Sequence, residues 1–192
     1  MSTTQPIRNQ QELENFKAFY LQRKPNRRNY LLIMMGLNTA LRISDLLKLR
    51  FRDIYDFEKR KIKEHLIITE KKTKKENIVY LNHELKHALS ECLDFLTASE
   101  DDWIFQSQIQ KEKPLSRQQA FRIVKKAAEF AGISGNISCH SLRKTFGYFA
   151  WKEGVLPTML MEIYNHSSYK ITKRYLGIEQ DDKDEIYKKI CI

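Results

Sequence analysis

The spacing of apolar positions divides the chain into helical stretches around a short extended one. Asn9 and Glu12 resemble a capping box that opens a helix with Leu13, Phe16 and Tyr20 on one side. A second helix, about Arg27 to Leu37, is nearly all apolar at its C-terminal end and is expected to be central. After a turn at Asn38–Thr39, Ser44 is placed to cap a short helix through Leu49. Alternation then replaces helical spacing. Leu66 to Thr69 and Ile78 to Leu81 read as two strands joined by the lysine-rich tip Glu70–Asn77. The helical period returns from Asn82 to Ala98, with Leu85, Leu89, Cys92 and Leu96 on one face. Ser116 and Gln119 form a capping box for a helix that stops at Gly132, and a further helix covers about Ser141 to Glu153 and ends at Gly154. Shorter helices are expected around Pro157–Tyr164 and Tyr169–Leu176. The result is an α+β fold, mainly α, with one small antiparallel hairpin.

Composition adds a partner class. No linker, repeat or low-complexity segment interrupts the 192 residues, so a single domain over 1–192 is expected. Its 34 Lys and Arg against 24 Asp and Glu leave a net charge of +10, and a domain this basic usually meets a polyanion. No lysine- and arginine-faced amphipathic helix points to a membrane surface instead. Cys92, Cys139 and Cys191 have no close pair and no zinc-like spacing, and residues 1–11 lack the basic-then-apolar run of a secretory leader. The expectation is a cytoplasmic protein, nucleoid-associated when bound to DNA.

Three segments carry candidate chemistry. In Ser138–Phe146, His140 and Arg143 stand three apart at a helix start, where imidazole, guanidinium and free backbone amides together make an anion site. Arg42 lies in Ala40-Leu41-Arg42-Ile43-Ser44-Asp45, too hydrophobic a stretch for casual exposure, with Asp45 placed to hold its guanidinium. The third segment runs from Tyr164 through His166 to Tyr175. Alone, one tyrosine among nine is weak evidence, since most are partly buried with a satisfied hydroxyl.

Taken together, the segments resemble the catalytic domain of the tyrosine site-specific recombinases, the phage-integrase family. Arg42 matches the first family arginine, His140 and Arg143 match its His-x-Leu-Arg, and His166 and Tyr175 stand nine apart as the pattern requires. Lys72, in Lys72-Thr73-Lys74, is the best match to the hairpin lysine, with Lys71 and Lys74 as the alternatives one slip away. The resemblance covers about residues 27 to 180. It departs at Lys144, where the family usually has histidine, and at Ala40 and Asn165, where glycine is common.

The resemblance implies that Tyr175 attacks a backbone phosphate held by Arg42 and Arg143, with His166 donating a hydrogen bond, His140 accepting the phenolic proton and Lys72 protonating the leaving 5′-oxygen. It implies no cofactor and no metal. The partners implied are duplex DNA and further copies of the chain, as dimer or tetramer, with accessory DNA-bending or directionality proteins possible. Lys71, Lys74, Lys75, Lys144, Lys173 and Arg174 are expected to contact DNA. Residues 1–25 are expected to be an N-terminal helix and extension rather than the DNA-enclosing domain of longer members, and the tail 181–192 either to dock on a neighbouring copy or to pack against its own domain.

Other readings compete. His83-Glu84-Leu85-Lys86-His87 matches the zinc-protease pattern, but the helical period turns both histidines away from the apolar stripe, towards solvent. A type IB topoisomerase would use similar chemistry but normally carries further domains. A DNA-binding regulator that no longer cuts fits the charge equally well, yet has no need of six chemically competent catalytic positions.

Overall fold

The computed structural model describes residues 4–176, 184 and 187–190, except for the side chain of Arg174. Helix α1 (Gln10–Ala18) continues into one π-helical turn (Phe19–Arg23), and Asn9 caps it by accepting from the Glu12 amide. Its Leu13, Phe16 and Tyr20 are buried, and Tyr20 Oη donates to the Ile123 carbonyl at 3.1 Å. Helix α2 (Arg27–Asn38) is the centre of the molecule. Leu31 to Met35 are buried on every side, because α5, α6 and α7 all pack against it. A helix that is apolar all round has no solvent face to present, which explains its position.

The short helices α3 (Ile43–Leu46) and α4 (Phe51–Ile54) lead to two antiparallel ribbons, β1 (Tyr55–Asp56) with β2 (Lys61–Ile62) and β3 (His65–Thr69) with β4 (Glu76–Tyr80). The first ribbon, which turns through Arg60 at φ 49°, was not expected from its sequence. Two residues per strand are too few to show alternation. In the second, Ile67 pairs with Ile78 and Thr69 with Glu76, so the tip is confined to residues 70–75.

Helices α5 (His83–Cys92), α6 (Arg117–Phe130), α7 (Cys139–Lys152), α8 (Pro157–Ile163) and α9 (Tyr169–Leu176) complete the described fold. Both bonds of the Ser116–Gln119 capping box are present, and α6 and α7 are each followed by a glycine at positive φ, Gly132 and Gly154. Among the described residues, no helix is long and apolar enough to cross a membrane.

Three expectations require correction. Ser44 does not cap α3: Arg42 holds the N-cap position and Ser44 lies inside the first turn, the helix ending at Leu46. Helix α5 stops at Cys92, and Leu96, assigned to its buried stripe, is 96% exposed. The apolar period runs on past the point where Leu93 turns to extended backbone. Helix α7 begins two residues before the expected Ser141, because Ser138 caps it and pairs with Ser141 in a capping box.

The buried residues fall into two groups. A main core joins α1 to α7 and the second ribbon, whereas Ala40, Leu160, Tyr164 and Leu176 form a separate small cluster beneath α8 and α9. Arg143 and Tyr175, singled out in the sequence, lie where the two meet.

Candidate active site

Arg143 is placed by α7 and Arg42 by the turn that ends α2. Arg143 is only 1% exposed; its Nη1 donates to the Ala40 carbonyl and its Nη2 to the Tyr164 carbonyl at 2.8 Å. The Tyr164 ring lies 4.7 Å beneath the guanidinium, and its hydroxyl donates back to the Arg143 carbonyl at 2.8 Å. The backbone follows this need. Ala40 stands at φ 55° and Asn165 at φ 50°, left-handed conformations that favour glycine. The family resemblance leads one to expect glycine at both positions, and the left-handed backbone of this chain fits that expectation.

Arg42 pairs with Glu70, which is fully buried. Asp45, expected to hold that guanidinium, instead accepts from the Lys71 amide at 3.2 Å. Its residue spacing put Asp45 near Arg42 along the chain, but α3 turns the carboxylate towards the hairpin tip. Among the described residues, the buried side-chain polar atoms without a partner are Asp45 Oδ2 and Arg143 Nε, both at this site. Unsatisfied buried groups are rare in folded proteins and mark places built for something else.

Helix α9 brings Tyr175 over this cationic floor. Its ring centroid is 5.8 Å from the Arg143 guanidinium, 5.0 Å from the His166 ring and 5.2 Å from the Tyr164 ring. Its hydroxyl is 3.4 Å from His140 Nδ1. Burial raises the phenol pKa, although Arg143 and Arg42 pull it down, so Tyr175 is protonated at neutral pH. Burial and the neighbouring cations Arg143, Lys144, Arg42 and Lys72 lower the His140 pKa, so its ring is neutral and can accept a proton. His166 is pushed down to about 4, first by burial and then by Arg143 and Arg42, and its Nδ1 pairs with Thr172 Oγ1 at 3.0 Å.

The hairpin tip supplies the remaining wall. Arg42, Ser44, Lys71, Lys72, Arg117 and His140 line an open pocket of about 400 Å³. Lys72 faces this pocket, Lys71 touches it and a second one behind the hairpin, and Lys74 faces only the second. Lys75 is exposed at the tip and Lys173 exposed on α9. Lys144 turns inward: its ammonium donates to the Thr4 carbonyl at 2.5 Å and lies 5.6 Å from the Tyr175 ring centre. The side chain of Arg174 and most of the tail 181–192 lie outside the described residues.

Four contributors were missed in the sequence. Tyr164 and Thr172 carry a readable signal, because Thr172 stands three residues before Tyr175 on one helix face. Glu70 and Arg117 carry none, since each meets the site only across the fold. The exposed His83 and His87 stay apart from all these groups. Among the described residues, no cluster of three or more His, Cys, Asp or Glu is arranged to hold a metal ion.

Residues 9–181 match the phage integrase family. A probable integrase/recombinase of Bacillus subtilis is 38% identical over 188 residues, covering 98% of this chain and 97% of the relative. A tyrosine recombinase of Pseudothermotoga lettingae is 31% identical over 86% of this chain, which spans about half of that relative, 54%. Among solved structures, the XerH site-specific recombinase bound to a palindromic DNA substrate superposes with a TM-score of 0.77 at 21% identity, over 97% of this chain and 53% of that one.

Proposed function

The chain belongs to the phage integrase family, as an enzyme of the tyrosine recombinase type, and on that premise we propose that Tyr175 cuts and rejoins duplex DNA at a specific site. The observation that carries the reading is the convergence of Arg42 before α3, His140 and Arg143 on α7, His166 before α9 and Tyr175 on α9, beside a pocket that Lys72 lines.

The geometry supports each proposed role. Charge builds on two non-bridging oxygens as the phosphate is attacked, and two permanently charged guanidiniums stabilise it. Arg143 keeps a buried, unpartnered Nε–H donor for that oxygen, while one N–H of each Nη is anchored on a backbone carbonyl. The Tyr175 oxygen forms the new bond to phosphorus, and its proton passes to neutral His140 across the 3.4 Å contact, which must shorten in the complex. The bond to the 5′-oxygen breaks, and that oxygen takes its proton from Lys72. The product is a 3′-phosphotyrosine and a free 5′-hydroxyl. Because the phosphodiester energy is conserved in the covalent link, rejoining needs no nucleotide cofactor.

The partners proposed are duplex DNA and further copies of this chain, since two cuts in exchanged duplexes need more than one nucleophile. Lys71, Lys75 and Lys173 are available for backbone phosphates, and accessory DNA-bending proteins would fit the same reaction. The stretch 9–181 acts as one catalytic unit, and the setting is cytoplasmic DNA.

The test is covalent trapping on a pool of nicked duplexes of randomised sequence, read on a denaturing gel. A protein–DNA adduct is expected, and it should vanish in Tyr175→Phe. Stable binding without any adduct would leave a DNA-binding regulator as the better reading.

A further inference from the structure

Glu70 is a fully buried acid inside a cationic site, and the steps above give it no direct task. A buried carboxylate is expensive unless paired, so its donors indicate its purpose. Oε2 accepts from Arg42 Nη1 and from Thr73 Oγ1 at 2.8 Å, while Oε1 accepts from Asn77 Nδ2 at 3.1 Å with Arg143 Nη1 4.0 Å away. Burial raises its pKa, but the bonds from Thr73 and Asn77 and the Arg42 charge outweigh burial, and the group stays ionised.

These donors come from the hairpin tip, Thr73, and from strand β4, Asn77, as well as from the arginine. A simple counter-ion for Arg42 would not need them. The backbone completes the knot: the Glu70 amide donates to the Lys75 carbonyl and the Glu70 carbonyl accepts from the Lys74 amide, both at 2.9 Å. Asp45 holds the Lys71 amide from the other side. Lys72 therefore stands between two residues, Lys71 and Thr73, that are each fixed by a carboxylate.

We propose that Glu70 is a positioning residue: its carboxylate clasps the lysine hairpin to Arg42, so that the Lys72 ammonium and the Arg42 guanidinium reach the same phosphate as one unit. This rests on the recombinase reading above. Glu70 touches no reacting atom and acts through Lys72 and Arg42.

A leaving group that needs no proton separates this role from a merely structural one. The experiment uses the full chain and a nicked duplex recovered from the trapping pool, made once with the ordinary 5′-oxygen and once with sulfur in that bridging position. A thiolate departs without an acid. On the oxygen duplex, Glu70→Gln should slow single-turnover cleavage by roughly 100-fold, the scale of a lost general acid, with DNA affinity within about threefold of wild type. On the sulfur duplex it should recover to within about tenfold of wild type, as Lys72→Ala should, while Arg42→Ala stays inactive on both. Glu70→Asp, charged but shorter, should fall between.

Wild-type cleavage of the oxygen duplex by Glu70→Gln, or a loss that sulfur does not restore, overturns the clasp. Should Glu70→Gln fail to fold, Thr73→Val removes one bond of the clasp at the protein surface. A loss of about tenfold that sulfur restores is then expected, and no loss, or one that persists, overturns it. A wild-type protein that forms no adduct on either duplex overturns the recombinase reading itself.

Discussion

The proposed phosphate seat around Arg143 and the arm that carries the proposed nucleophile, Tyr175, are built to different standards. Arg143 is buried, donates to two backbone carbonyls and rises from a helix packed into the main core. Tyr175 rides on α9, an eight-residue helix whose anchor is the small cluster of Ala40, Leu160, Tyr164 and Leu176. The two meet through Tyr164, which stacks under Arg143 and packs against Tyr175. A transition-state charge is best met by groups that need not move when it appears, whereas a nucleophile has to travel towards phosphorus and back. The contrast therefore matches what each part must do: rigidity is concentrated where charge develops, and weak anchoring where a covalent bond forms.

Substitutions in the seat should lose stability and cleavage together, and those in the arm should lose cleavage first. The largest effect is expected for Arg143→Ala, which strips the Ala40 and Tyr164 carbonyls of their donors. It should abolish adduct formation and cost about 3 kcal/mol in urea unfolding. Arg143→Lys should not rescue it, since one ammonium cannot replace the guanidinium fork.

Next comes Gly147→Ala. The added methyl would collide with the Tyr164 hydroxyl and lie 2.9 Å from Leu176 Cδ2, displacing α9. Overpacking of this kind costs about 1–3 kcal/mol, and single-turnover cleavage should fall by well over the fraction that stability alone explains. Cleavage that survives intact would show that the arm has no need of its anchor.

Acid should loosen the junction. His166 has a folded pKa of about 4 against about 6.5 unfolded, so the unfolded chain binds the extra proton between those values. Stability is full above pH 6.5 and falls as pH drops towards 4, by at most about 3 kcal/mol, with His140 acting in the same direction. In more acid solution Glu70 adds to it. Against the effect of burial, the Thr73 and Asn77 bonds and the Arg42 charge hold its folded pKa below that of the unfolded chain, which takes up the proton first. Melting temperatures across this range should fall, and His166→Gln should flatten the upper part of the curve.

The smallest effect is expected for Ala40→Gly. Relief of the left-handed strain is partly offset by the lost buried methyl, leaving a gain of up to about 0.5 kcal/mol by denaturant melt. A clear loss would mean that the methyl matters more to the small cluster than the backbone does.

The sequence by itself determined the helical order and the lysine-tipped hairpin, because each rests on local rules, while the interval between His166 and Tyr175 drew its meaning from the family resemblance. Periodicity places Leu13, Phe16 and Tyr20 inward, and capping residues mark where α1 and α6 open. It misled where a local rule outran the fold: Leu96 kept its period beyond the end of α5, and Ser44 looked like a cap although Arg42 holds that position. What only the tertiary structure decided was partnership. Glu70 rather than Asp45 holds Arg42, Lys71 and Lys72 rather than Lys74 line the pocket beside Arg42 and His140, and Lys144 turns to Thr4 near the Tyr175 ring. These choices depend on which way a side chain leaves its element once helices and hairpin are packed, and charge pairing across the fold leaves no periodic trace along the chain.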